Sequence, residues 1–203
     1  MKKRIVLTVF SIVCMLTSCK PMTYEFPEVS FDSTIPTVSV DGFRMQMSAR
    51  MAKQVAEERG YKINSKYSQF TFDDIAEGVP GESIVGPNIY LERGLLESVM
   101  LQFDYGRIES IYYNNIFDSR QQAEELLELY LARYPQLTLE KETDEGYRSY
   151  SYEPNRFASI KALIRMIGEK NWRVDISVHD RNYSQSRRNQ ELYEKIEAIR
   201  RRY

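Results

Sequence analysis

The chain has 203 residues, 42% of them hydrophobic, with 28 basic against 29 acidic side chains and a net charge of −1. That balance excludes the net-basic footprint of a nucleic-acid binder, and one histidine with two cysteines, Cys14 and Cys19, leaves no ligand set for zinc and no motif for a cofactor. The length suffices for one hydrophobic core or two small ones.

At the start, Lys2, Lys3 and Arg4 precede an apolar run over residues 5–16 that closes on Leu16-Thr17-Ser18-Cys19. A run of about a dozen residues is too short to span a bilayer as a helix, and the small residues suit a peptidase pocket. The segment resembles the lipobox signal of bacterial lipoproteins. The resemblance implies removal of residues 1–18 as a signal peptide, a thioether-linked lipid on Cys19, and permanent attachment to a membrane through its acyl chains. Lys20, where an aspartate would retain a lipoprotein in the inner membrane, implies the outer membrane, on either side of it. Processing removes three positive charges and no negative ones, so the mature chain is mildly acidic and has no thiol for a disulfide or a nucleophile.

Residues 19–38 carry Pro21, Pro27 and Pro36 among polar residues and read as an extended tether. A first α+β half is expected over 39–116. It opens with a helix over 43–59, with Phe43, Met47, Met51 and Val55 along one side, Asp41 as N-cap and Gly60 as C-cap. One or two strands follow over 61–72, then an irregular segment over 73–87, then a three-strand meander over 88–91, 95–103 and 107–114. In the last two of these strands the alternation of polar and apolar residues is broken.

A second α+β half is expected over 117–182. Asp118 or Ser119 caps its helix, with Gln122 completing a Ser-x-x-Gln box, Ala123, Leu126, Leu127, Tyr130 and Tyr134 on one face, Glu124, Glu125 and Glu128 in solvent, and Pro135 at the end. A hairpin over 137–153 sets Glu142 across from Arg148. The clearest strands come next. In 172–179, Trp172, Val174, Ile176 and Val178 face the core, and Arg173, Asp175, Ser177 and His179 face away. In 157–167 the outward set is Ser159, Lys161, Leu163 and Arg165. A loop of Glu169, Lys170 and Asn171 would pair Arg165 with Asp175 and Lys161 with His179. The polar C-terminal helix, over 183–203, carries a narrow stripe of Leu192, Ile196, Ile199 and Tyr203 that can dock on its own domain or on a partner helix.

The expected fold is therefore α+β, antiparallel sheet packed against helices, as a tandem helix-plus-four-strand arrangement with a C-terminal helix. In element order alone it resembles the beta-lactamase inhibitory protein family, which implies nothing about function. No Gly-x-Ser-x-Gly turn accompanies His179, so a hydrolytic triad is not expected. Two functions remain. The first is a lipid-anchored, non-catalytic binding or accessory module for a protein or glycan, using Lys161, Arg165, Arg173 and His179 beside Tyr150 and Tyr152, or the last helix. The second is a small envelope or glycan hydrolase using Asp73, Asp74, Glu77 and Glu82.

Overall fold

In the computed structural model, which describes residues 38–78 and 86–201, Asp41 and Gly42 both take left-handed conformations, φ 44° and 89°. They turn β1 (Ser39–Val40) back onto β2 (Phe43–Arg44). Aspartate-glycine between Val40 and Phe43 is a two-residue hairpin signal, and it overrides the helical spacing of Phe43 and Met47. The helix expected from 43 accordingly begins later. Helix α1 (Ala49–Glu58) is capped by Ser48, whose side chain accepts from the Met51 amide, and Gly60 follows its end at φ 75°. Its buried side is Ala49, Ala52 and Ala56, small enough for close approach, while Met51 is 46% exposed.

Of the strands expected over 61–72 only β3 (Lys62–Ile63) forms. Thr71 and Asp74 close a reciprocal capping box that starts helix α2 (Phe72–Glu77), where an irregular segment is expected. Phe72 meets Phe103 edge-on at 6.3 Å. The meander then runs through β4 (Asn88–Arg93), β5 (Glu97–Asp104) and β6 (Arg107–Phe117). The register shifts after Gln102, and Ile108, Glu109, Ser110 and Ile111 are all buried. A bulge of this kind inserts one residue and destroys the period-two pattern, which is why the alternation is unreadable there.

Helix α3 (Arg120–Arg133) starts at Ser119, but the Ser119 side chain makes no cap bond, so the Ser-x-x-Gln box does not form. It buries Ala123, Leu127 and Tyr130, and Glu124 pairs with Arg120 at 2.9 Å and Arg148 at 2.8 Å. Strands β7 (Thr138–Glu142), β8 (Arg148–Asn155), β9 (Ala158–Ile167) and β10 (Asn171–Asp180) follow, with Glu142 opposite Arg148. Helix α4 (Asn182–Arg200) closes the described chain.

The register of β9 and β10 departs from expectation. The loop is Gly168, Glu169 and Lys170, with Gly168 at φ 63°, and Ile167 pairs with Asn171. Glycine reaches the left-handed region without the Cβ clash that Asn171 would bear. Arg165 therefore stands opposite Arg173, Lys161 opposite Ser177, and Ser159 opposite His179. Because the slip is by an even number, every side chain keeps its expected face.

The strand order is β3-β4-β5-β6-β10-β9-β8-β7, every pair antiparallel, in one eight-stranded sheet. Each half runs from an outer edge to the centre, and the two last strands, β6 and β10, pair with each other. The topology is thus two-fold symmetric about the β6–β10 seam, with a helix before each set of four strands. Fully buried Leu101, Ile111, Leu127, Ile164 and Ile176 tie both halves into one core. Truncating any one of them to alanine removes about 2–5 kcal/mol.

Candidate functional site

Alternation divides the sheet into two unlike faces. The inner face, with Val99, Leu101, Tyr113, Ile160, Val174 and Ile176, is buried beneath α1, α3 and the β1–β2 hairpin. The outer face presents Tyr90, Ser98, Met100, Tyr112, Asn114, Ser177, His179, Arg173, Lys161 and Arg165, most of them partly exposed. Helix α4 leaves the sheet beside the β5–β6 turn, where Arg188 pairs with Asp104, Tyr105 donates to Glu191 at 3.1 Å and Ser184 donates to Glu109 at 3.1 Å.

Small serines make the outer face low at its centre and carry its polar contacts. The Tyr90 hydroxyl lies 2.8 Å from the Ser98 Oγ, which also accepts from Asn114 Nδ2 at 2.6 Å. Ser110 Oγ lies 3.0 Å from His179 Nδ1, and Tyr112 sets its ring edge on the imidazole at 4.9 Å. Burial and the nearby charges of Arg181 and Lys161 push the His179 pKa down, so the ring is neutral at pH 7. Asp175 pairs with Arg173 at 2.5 Å and with Arg165 at 3.7 Å. The result is a shallow polar floor with tyrosine walls and a basic side.

Four of the sequence-nominated residues, Lys161, Arg165, Arg173 and His179, share this face. Tyr150 and Tyr152 do not. They pair with Ala162 and Ile160, inner-face residues, and pack against the core. In β8 the even positions point inward, as they do in β9, so the tyrosines belong to the opposite surface from the basic strip. Tyr90 and Tyr112 supply the aromatic groups instead. The loop acids among the described residues, Asp73, Asp74 and Glu77, do not converge either. Asp73 pairs with Lys53 at 2.8 Å, and Asp74 is consumed in the α2 cap, where hydrogen bonds from the Thr71 backbone and hydroxyl hold its carboxyl below the usual range. Glu77 ends α2, and Glu82 lies outside the described residues, as do Cys19 and Tyr203. On α4, Leu192 is 50% and Ile199 58% exposed, and Ile196 is partly buried.

A second polar cluster, on the inner side, is not legible in the sequence. Glu97 accepts from Arg93 Nε at 2.8 Å, Arg93 Nη2 at 2.6 Å and the Tyr113 hydroxyl at 2.9 Å. Asp41 accepts from the Tyr61 hydroxyl at 2.8 Å and pairs with Arg93 at 3.1 Å and Arg59 at 3.3 Å. Burial pushes the Glu97 pKa up, but the hydrogen bonds from Arg93 and Tyr113 and the Arg93 charge outweigh it, and the carboxyl sits below its ordinary value. Burial and Asp41 push the Tyr61 pKa up. With every partner engaged, this network clamps the β1–β2 hairpin to the sheet.

For a nucleophilic triad His179 would need an exposed hydroxyl and an orienting acid. Its partner Ser110 is fully buried, and Asp180 points to the other face, with its Oδ1 accepting from the Asn182 amide and side chain at 3.1 and 2.9 Å. Among the described residues no group of three or more His, Cys, Asp or Glu side chains converges as a metal set, and no helix is long and apolar enough to cross a membrane. The arrangement offers stacking surfaces, hydrogen-bond donors and fixed positive charge, which are means of binding. No protein-family model, no curated protein and no solved structure matches the chain.

Proposed function

We propose that this chain is a lipid-anchored lipoprotein of the outer membrane that works as a non-catalytic binding or accessory module and engages its ligand on the open face of the sheet. The observation that carries the reading is the division of one eight-stranded sheet into a helix-covered face and a face that keeps Tyr90, Tyr112, Asn114, Arg173 and His179 partly exposed. Antiparallel sheets commonly solvate one face. Tyrosine, asparagine and serine around an arginine form a surface suited to sugars and protein partners. The lipobox ending at Cys19 supports the anchoring.

Two measurements test this. Cells grown with an alkyne-bearing fatty acid should label the wild-type protein and leave Cys19→Ala unlabelled and free of the membrane fraction. A photo-crosslinking residue placed at Tyr112 should capture a discrete adduct in intact envelopes, while the same residue at Glu128 on the far side of α3 captures none. Equal adducts at both positions would refute the outer face as the binding surface.

A further inference from the structure

The two-fold topology places equivalent residues of the two halves at diagonal corners of the outer face. At the β4–β5 corner a concavity of about 310 Å³ is lined by Glu92, Leu95, Leu96, Ser98 and Ile116, with Arg173 beyond. At the β8–β9 corner a second concavity, also about 310 Å³, is lined by Glu153, Arg156, Phe157, Ser159 and His179, with Arg181 beyond. The linings correspond by chain position. Glu92 answers to Glu153, Leu95 to Arg156, Leu96 to Phe157 and Ser98 to Ser159 at constant spacing. Asn114 opposite Ser98 answers to His179 opposite Ser159, and Ile116, whose amide donates to the Leu96 carbonyl, answers to Arg181, whose amide donates to the Phe157 carbonyl. From Ser98 to Ser159 the path crosses three strand spacings and runs about four residues along the strands, roughly 20 Å.

The acid and the serine are common to both corners, and the differences have one direction. Where the first corner has Leu95 and Ile116, the second has the guanidiniums of Arg156 and Arg181, and the His179 imidazole stands where the first has Asn114. Arg156 lies over the Phe157 ring at 4.5 Å, and Arg181 reaches Glu109 only at 3.9 Å. Glu153 is engaged by Lys161 at 3.3 Å, which offsets its charge. Asn155 spends its Oδ1 on the Phe157 amide at 2.8 Å, so its remaining amide group is a donor. With His179 Nδ1 on Ser110, the ring nitrogen left to a ligand is Nε2, a donor in the tautomer where the Ser110 hydroxyl donates to Nδ1.

We propose that the β8–β9 corner is a phosphate-binding site, with Arg156 and Arg181 as charge partners and Ser159, Asn155 and His179 Nε2 as hydrogen-bond donors, while the equivalent β4–β5 corner, which has Leu95 and Ile116 at the two arginine positions, is not. Arginine is the side chain best matched to phosphate, because its fork presents parallel N–H groups and keeps its charge at all relevant pH values. The phosphate is either that of a small soluble ligand or that of a lipid headgroup. The inference rests on the outer face as the binding surface, yet it fails separately from that reading.

The test is a titration of inorganic phosphate into the full-length lipoprotein in neutral-detergent micelles at constant ionic strength, read by the His179 ring signals and by the amides of residues 155–159 and of Ser98. Saturable shifts at His179 and 155–159, with none at Ser98, are expected. Arg156→Gln and Arg181→Gln should each weaken the half-saturating concentration about tenfold, the usual loss for one charge-assisted hydrogen bond, and Leu95→Gln should leave it unchanged. Non-saturating shifts, equal shifts at Ser98, or wild-type saturation in the double arginine variant would overturn the site. Should the double variant not fold, Ser159→Asp places a carboxylate in the corner and must abolish saturation, and retained saturation overturns the site equally. Nanodiscs of phosphatidylglycerol against phosphatidylcholine then separate the sources. Shifts at 155–159 with the former alone identify a headgroup, and shifts with inorganic phosphate alone identify a soluble ligand. If the Tyr112 adduct persists while phosphate does not saturate, this site is lost and the binding face stands.

Discussion

Arg165 and Arg173 face each other directly across the β9–β10 pair, and Asp175, one diagonal away, holds both, at 3.7 and 2.5 Å. Like charges in opposed positions repel, so the carboxylate has a structural task as well as a place on the outer face. Replacing Asp175 by Asn should cost about 1 kcal/mol at low salt, within the range for partly exposed pairs, and Arg165→Thr in that background should restore most of it. Urea unfolding of the two single variants and the double variant measures the coupling, and additive effects would show that Asp175 does not offset the opposed arginines.

Glu97 gives a pH-dependent counterpart on the inner side. Its folded pKa is depressed, so the stability it contributes is present above its unfolded value, about 4.3, and is lost as the pH falls through the lower folded value. Wild-type stability should therefore drop on acidification below about pH 4, and in Glu97→Gln this segment of the profile should flatten. At pH 7 the same variant should lose about 2–3 kcal/mol, because Arg93 keeps its charge and loses its bidentate partner. Chemical denaturation at a series of pH values checks both the size and the slope.

Glu109 runs the other way. It is 5% exposed at the β6 bulge, and burial, then the nearby Asp104 charge, raises its pKa against the opposing effects of Ser184, Arg181 and Arg188. For a carboxyl with a raised folded pKa, the stabilising contribution is complete below the unfolded value and disappears as the pH rises through the folded one. The ionised group is thus a cost at pH 7. Glu109→Gln keeps an acceptor for the Ser184 hydroxyl and should stabilise the protein by about 1 kcal/mol at pH 7, with the difference vanishing near pH 4. Melting temperatures of the two proteins at both pH values decide it.

How much of this could be seen in advance depended on whether the controlling interaction was local. The alternation of Trp172, Val174, Ile176 and Val178 put Arg173 and His179 on the face where they are found, because a strand's parity survives an error in its loop. The same parity, applied to β8, would have separated Tyr150 and Tyr152 from that strip, had the pairing of Tyr150 with Ala162 been known. Phe43 and Met47 have helical spacing but reach the core from a hairpin and an extended segment, since Asp41-Gly42 turns the chain first. Joining β6 to β10 brings together residues such as Ser110 and His179 that no local pattern relates. The correspondence of Leu95 with Arg156 was hidden because position is retained there and chemistry is not.

Gly146 and Gly168 offer a comparison in which backbone strain and packing separate. Both have positive φ, 83° and 63°, so an alanine at either pays the left-handed penalty of about 1–2 kcal/mol. At Gly168 nothing lies within 4 Å of an added Cβ, and that penalty should be the whole cost. At Gly146 the Cβ would come within 2.9 Å of Trp172 Cη2 and 3.4 Å of Arg120 Nη1. Trp172 cannot retreat freely, because it is 9% exposed and Arg120 lies over its ring at 5.0 Å. Gly146→Ala should therefore cost about 1–3 kcal/mol more than Gly168→Ala, the range for an overpacked site. It should also perturb tryptophan fluorescence, which Gly168→Ala leaves unchanged, since Trp172 is the one tryptophan in the chain. Equal losses in the two variants would mean that the β7–β8 turn moves aside and that the stacking of Gly146, Trp172 and Arg120 does not fix how the second half closes on α3.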